Sequence, residues 1–331
     1  MLDAHNVLQS AWQTAFGTPN ATATVKLQNV SSFRLRPEFQ TRALEQLRGT
    51  LAPTHQTTLD NYSGSATFEV SDETFEDVNY WLEALFGKAT PTGTGPYVRA
   101  YAAPTTAAIT PQFMTLQYGQ KYGQANGVFQ LQDASVASLT LSGADNTGVQ
   151  VGGSIIAGKV IPGTLATLSD RTGVTRMSGC MASVAIETWT GSAFTPLASS
   201  AFSWELSINS NREYRGYLGD CTPTAYHDQK WNGQLRLSLE LNDSTDDYLS
   251  AMLGASSAIL EKQVRIKYST GSGTSLRSMT ITFAGHSMQA PELFQDRNGV
   301  TTYDLVLDGV YNSTLGNWLK IETKSATQTL A

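Results

Sequence analysis

Two stretches of this chain repeat one pattern, and that repeat limits what it can fold into. Gly64 to Gly87 runs GSATFEVSDETFEDVNYWLEALFG; Gly233 to Gly254 runs GQLRLSLELNDSTDDYLSAMLG. In the first, Ala66, Phe68 and Val70 alternate with polar residues, the period of a half-buried strand. Ser71-Asp72-Glu73 then supplies oxygens suited to a helix start, where carboxylates meet the positive end of the helix dipole. Val78, Trp81, Leu82 and Leu85 share one helical face, and Gly87 stops the helix. The second stretch has the same strand, acidic turn, apolar helix and glycine.

The match extends outward in the same order. Ser31-Ser32-Phe33 pairs with Ser200-Ala201-Phe202, and Ala52-Pro53-Thr54 with Thr222-Pro223-Thr224. Tyr62-Ser63-Gly64 pairs with Trp231-Asn232-Gly233, and Leu139 to Gly143 with Leu305 to Gly309. The chain reads as a tandem duplication. At 331 residues it is also longer than the roughly 250–300 over which one core usually grows. The turn-rich connector Ile161 to Gly173 sets the expected domains at 1–165 and 166–331.

Around the repeated unit, short strands are expected over Ala23 to Arg36, Phe113 to Tyr118, Val128 to Gln132, Val136 to Leu141 and Val149 to Val160. Asn126-Gly127 has the composition of a hairpin turn. In the second half, strands are expected over Met181 to Trp189, Phe194 to Leu197, Phe202 to Ile208, Val264 to Tyr268, Leu276 to Phe283, Thr301 to Val310 and Trp318 to Thr323. Asn6 to Phe16 reads as a helix, with Val7, Leu8, Ala11, Trp12, Ala15 and Phe16 on one stripe. Such a helix either packs on its own domain or docks as an arm on a neighbouring subunit. Pro37 to Thr58 reads as a long loop. Lys88 to Pro111 reads as another, with Tyr97-Val98-Arg99 as a strand inside it; its length implies a reach beyond its own domain, towards a stacked neighbour. The fold class is mainly β with short helices: two tandem β-barrel or sandwich domains, each with a flanking helix.

Charged residues make up 15% of the chain, below the roughly 25% usual in soluble proteins, and Ser, Thr, Gln, Asn and Gly replace them. Such a surface can be buried on neighbours without desolvating ions. The net charge of −6 and the lack of a basic run argue against tight nucleic-acid binding. No apolar run is long enough to span a membrane, and the N-terminus lacks a signal-peptide pattern, so cytosolic synthesis is expected.

The search for chemistry finds no GxSxG, GxxxxGK[ST], HExxH or paired CxxC. His5, His55, His227 and His286 are scattered. Cys180 and Cys221 read as free thiols, and Cys221 near His227-Asp228 has no counterpart in the first half, where Leu51 aligns with the cysteine. Asp72, Glu73, Glu76 and Asp77, like Asp243, Asp246 and Asp247, lack calcium-loop spacing and read as helix-start carboxylates. No catalytic, cofactor-binding or metal-binding residue is assigned, no cofactor is expected, and the chain is read as a non-enzyme. A carbohydrate-active enzyme would need two spaced carboxylates in a cleft.

The duplicated strand–turn–helix unit, carried by Gly64 to Val70 with Tyr80 to Gly87 and by Gly233 to Gly254, resembles the tail tube proteins of long-tailed bacteriophages. The stretch Val128 to Val160 adds to the likeness. The resemblance implies β-barrel subunits with a flanking helix, stacked as rings whose inner strands form one continuous barrel around a lumen. It implies a virion location in the tail tube and self-association into rings. Its further partners would be a tape measure protein and tail-end proteins (terminator and distal tail), with double-stranded DNA passing without specific binding and no membrane. Members with one domain form sixfold rings, so two domains per chain imply three chains per ring. A baseplate, receptor-binding or capsid-decorating β-protein is the alternative.

Overall fold

The computed structural model describes residues 6–44, 56–120, 127–188, 195–197, 200–243, 245–253, 261–287, 295–297, 299–328 and 330. The first half contains β1 (Asn6–Trp12), β2 (Val25–Leu27), β3 (Val30–Leu44), β4 (Gln56–Val70), α1 (Val78–Phe86) and β5 (Tyr97–Ala102). It continues with β6 (Met114–Gln120), β7 (Val128–Ala144), β8 (Gln150–Ala157) and β9 (Lys159–Pro162). The second half has β10 (Ala182–Thr188), β11 (Thr195–Pro196), β12 (Ala201–Asn209), β13 (Arg212–Arg215), β14 (Ala225–Asp228) and β15 (Asn232–Glu240). After it come α2 (Asp246–Leu253), β16 (Glu261–Thr270), β17 (Arg277–His286), β18 (Gln295–Arg297), β19 (Val300–Gly309) and β20 (Leu319–Ser325). The mainly β class with short helices is as the alternation implied.

Strand pairing runs continuously in the order β3–β4–β8–β7–β12–β15–β19–β18, all antiparallel. Each half contributes four neighbouring strands, and the halves meet where β7 pairs with β12. Two companion sheets lie alongside: β2–β1–β6–β7–β9 in the first half and β11–β10–β16–β17–β20–β5 in the second. The 17-residue β7 serves both sheets of its half, its start pairing with β6 and its end with β8.

The hairpins of the two halves repeat down to their irregularities. In β3–β4 the register slips between Val30 and Ser32 and again between Gln40 and Thr41. In the second half it slips between Ala201 and Ser203, and by one more residue where β12–β15 passes into β13–β14. Val30 and Leu44 therefore fall on Ala201 and Arg215, each 171 residues on; Gln56 and Val70 fall on Ala225 and Leu239, each 169 on. The sequence match set Phe33 beside Phe202, but the ladder sets it beside Trp204. Likewise β19 occupies the place of β8 against β15, so Leu305–Gly309 matches β8 and not Leu139–Gly143.

Three expectations are corrected. Asn6 to Phe16 is not a helix: β1 pairs with β2 and β6, and its second turn is a bend. Leu8 to Ala11 are all buried, because both faces of the strand are covered, and this produced a run that mimics a helical stripe. Pro37 to Thr58 is not a loop where it is described, since β3 runs through Pro37 to Leu44 and β4 starts at Gln56. Proline is tolerated because β3 is an outer strand. Lys88 to Pro111 does reach beyond its half, but through β5 onto β20 of the same chain. Asn126 lies outside the described residues.

α1 is buried along its whole length, with Trp81 stacked on Phe68 at a centroid distance of 3.9 Å. Gly87 ends it at φ +91°, and its N–H donates to the Glu83 carbonyl at 2.9 Å. A side chain there would collide with the Thr110 carbonyl, so glycine is required on both counts.

Candidate assembly surface

The seam between the halves pairs Ser138–Ala144 with Ser203–Asn209. Leu139, Leu141, Trp204, Leu206 and Ile208 alternate into the core, while Thr140, Ser142, Glu205 and Ser207 face the other way. Among the described residues β3 and β18 each pair on one side only, so the eight-strand run has two outer edges. Those edges have internal counterparts. β3 occupies in the first half the place β12 has in the second, and β18 sits beside β19 as the end of β7 sits beside β8.

The ribbon β13–β14 continues the β12–β15 hairpin back across the first half. Arg212 reaches from it to Ser135 Oγ at 2.6 Å, to the Val136 carbonyl at 3.1 Å and to the Leu85 carbonyl at 3.2 Å. The last is an unpaired carbonyl at the C-terminal end of α1, where a cation is favoured. Asp228 accepts two bonds from the same guanidinium, at 2.6 and 2.9 Å. Tyr214 donates its hydroxyl to the Asp133 carbonyl, and burial raises its pKa well above the ordinary tyrosine value. At the ribbon's far end the Cys221 carbonyl accepts the Tyr62 N–H at 2.8 Å.

A second tie lies before α1. Arg277 of β17 donates to Glu76 at 2.9 Å; Arg171 of the connector pairs with Asp77 and donates to Tyr80 Oη at 3.1 Å. Burial lowers the Arg171 pKa, with Glu76 and Glu73 opposing. Glu73 is fully buried, accepting the Thr74 N–H at 2.8 Å and the Trp81 indole N–H at 3.1 Å, and burial pushes its carboxyl up to about 7. The first acidic cluster thus does not serve the helix dipole as expected. α1 has no acidic residue in its first turn and no side-chain cap; the carboxylates hold the connector and the second half instead. Glu83 pairs with Arg99 of β5 at 3.5 Å, and burial raises its pKa to about 7, opposed by Arg99. Arg99 also donates to the carbonyls of Thr327 and Gln328, fixing the C-terminal segment.

Comparison with known families gives the class of protein to which these surfaces belong. A family model described as phage tail tube protein matches residues 4–304. The chain belongs to the phage tail tube protein family. Among curated proteins none matches it.

One face of the eight-strand run is rich in serine and threonine. Among its described residues, Ser65, Thr67, Ser138, Thr140, Ser142, Ser154, Ser203, Ser207 and Ser238 share the face away from the core. Its charged members include the carboxylates Glu38, Glu69, Glu205, Glu240, Asp304 and Asp308 and the guanidinium groups Arg34, Arg36, Arg236 and Arg297. Arg236 is itself paired with Asp304 at 2.5 Å.

The other singled-out residues do not converge on a site. His227 lies opposite Glu213 in the ribbon, and His286 closes β17. His5 and His55 lie outside the described residues. Cys180 and Cys221 are free and exposed. Asp246 opens α2, where Thr245 Oγ1 accepts the Asn242 N–H at 3.1 Å. Among the described residues no group of three or more His, Cys, Asp or Glu is placed to hold a metal ion. No described helix is long and apolar enough to cross a membrane. Arg99, Arg171, Arg212 and Arg277 escaped the sequence reading because each partner lies on a distant segment.

Proposed function

We propose that this tail tube subunit is a tandem duplicate, with domains 1–165 and 166–331, and that three copies close one ring of pseudo-sixfold appearance. The observation that carries the reading is the match between the internal seam and the outer edges. β18 of one copy meets β3 of the next as β7 meets β12, so three copies join their four-strand groups into one closed barrel. Closure pairs the strand edges that a lone subunit exposes. The Ser/Thr-rich, net-negative face then lines the lumen and lets DNA slide, because phosphates find no cluster of cations to displace their counterions. The tape measure, terminator and distal tail proteins are its expected partners in the virion, its chemistry is structural and not catalytic, and it is made in the host cytoplasm.

The internal ladder supports one register between copies. Glu205 faces Ser142 and Trp204 faces Gly143; carried through the repeat, Arg34 faces Gln295 and Phe33 faces Asp296 of the neighbour. Directly opposed residues have Cβ atoms about 4.5–5.5 Å apart, close enough for a cysteine pair to be trapped. Arg34→Cys with Gln295→Cys, in a chain whose Cys180 and Cys221 are changed to serine, should give covalent dimers and closed trimers in oxidised tubes. Cryo-electron microscopy should show three copies per ring. Six copies per ring, or assembled tubes with no link between these positions, would overturn the proposal.

A further inference from the structure

The companion sheet of the second half has a charged outer face. Its core side carries Val264, Ile266, Ile281, Phe283, Leu319 and Ile321, all buried. The residues between them point away from the core, and strand pairing sets them in rows. Arg265, Thr282 and Lys320 form one row, Lys267, Thr280 and Glu322 the next, and Ser269, Ser278 and Lys324 a third. β16 and β20 thus make two cationic rails with the hydroxyls of β17 between them. Strand geometry puts the rails about 9.5 Å apart, and Arg265 about 6.8 Å from Lys267 along β16.

In a chain of net charge −6, these rows hold four cations and one carboxylate. Glu322 pairs with Lys324 at 3.3 Å, and Lys320 Nζ donates to the Leu315 carbonyl. Lys267 is exposed and has no ion-pair partner among the described residues. Two further carboxylates stand at the other end of the face, where Glu187 is buried opposite Gln263 and Glu261 lies opposite His286. No basic run marks the patch in the sequence, because its cations come from two distant segments.

The companion sheet of the first half is different. Across β1, β6 and β7 it presents the row Gln9, Gln117 and Gln130, all buried. Their amides donate to the carbonyls of Ala166, Ala21 and Asn20 at 2.8, 3.0 and 3.3 Å. That row is uncharged and covered by its own chain. Lys267, Lys320 and Glu322 in the second half are exposed.

We infer that this basic face docks an acidic protein segment, laid in extended form along β17 between the two rails. Charge complementarity carries the assignment. Side chains on one side of an extended chain recur about every 6.8 Å, the spacing of Arg265 and Lys267, so carboxylates at alternate residues meet both. Ser278, Thr280 and Thr282 supply hydroxyl donors between the rails. Beyond β20 the rows end in Ala102, Ala100 and Val98 of β5, and they present no aromatic ring on which nucleic-acid bases could stack. The seam of the proposed ring uses β3 and β18, which belong to the other sheet, so this inference does not depend on it.

The test is a fluorescent peptide of alternating glutamate and threonine, titrated onto assembled tubes and followed by anisotropy. Saturable binding that weakens with added salt is expected, and Lys267→Glu with Lys320→Glu should lower the affinity at least about tenfold. Both positions are exposed, so the double variant should melt with the parent and form tubes of normal length. Lys267→Gln with Lys320→Gln gives a smaller loss of the same sign and serves if charge reversal unfolds the chain. A peptide of equal composition with its glutamates in one block should bind more weakly. No binding, equal binding to the variants, or no preference for the alternating peptide would overturn the inference. Tighter binding of single-stranded DNA of equal charge would overturn it in favour of a nucleic acid. A folded variant that forms no tubes would overturn it in favour of a contact between copies.

Discussion

Replacing Arg212 with methionine is expected to destabilise the subunit by about 3–5 kcal/mol, the usual consequence of leaving one partner of a buried pair uncompensated. The guanidinium side chain is fully buried and Asp228 is 4% exposed, so neither charge is screened by water. Methionine fills the space but leaves the Asp228 carboxylate with two lost donors, and strips Ser135 Oγ and the Val136 and Leu85 carbonyls of theirs. Asp228→Asn added to the variant should recover part of the loss, because it removes the stranded charge. The exposed Arg42–Asp60 pair on the first-half hairpin, at 3.5 Å, is the control; breaking it should cost less than about 1 kcal/mol. Denaturant midpoints of the isolated subunit measure all of these. An Arg212 effect no larger than the control would mean that the ribbon is not fastened as the geometry implies.

The contrast between those two pairs shows which parts of the structure are legible in the sequence. Strands such as β4, β12 and β15 are written in strict alternation, because one face meets the core and the other a polar surface. β1 is not, since four successive residues are buried and its periodicity carries no sign of a strand. Pro37 marked a break to a reader of local signals, yet an outer strand has no partner on one side to require its N–H. The acidic run before α1 looked like dipole compensation. Its actual partners, Arg171 and Arg277, lie about a hundred and two hundred residues away, and nothing in either sequence neighbourhood announces them. The proposed duplication rests, in the sequence, on drifting offsets. The paired register slips resolve that drift into two constant shifts along the hairpin, with loops of different length between them.

Glu73→Gln should make stability less dependent on pH, with the largest gain at alkaline pH. The Glu73 carboxyl is pushed up to about 7 by burial, from an ordinary value of 4.5. Below pH 4.5 both the folded and unfolded chains hold the proton, and the group has no effect on the slope. Between 4.5 and 7 the folded chain keeps a proton that the unfolded chain releases, so stability falls as pH rises through this window. Above 7 both forms are ionised and the loss is complete. A displacement of this size corresponds to about 3 kcal/mol. Glutamine has the same shape and cannot ionise, so it is free of that loss. It offers one acceptor to the Thr74 and Trp81 donors in place of two, a cost of about 0.5–1.5 kcal/mol at every pH. The variant should therefore be slightly weaker than the parent at pH 4.5 and stronger at pH 8, the difference changing sign within the window. Glu83, also raised to about 7, titrates in both proteins and drops out of the comparison. Unfolding midpoints of the two chains across this range test the assignment, and curves that run parallel throughout would show that Glu73 is not the buried acid described.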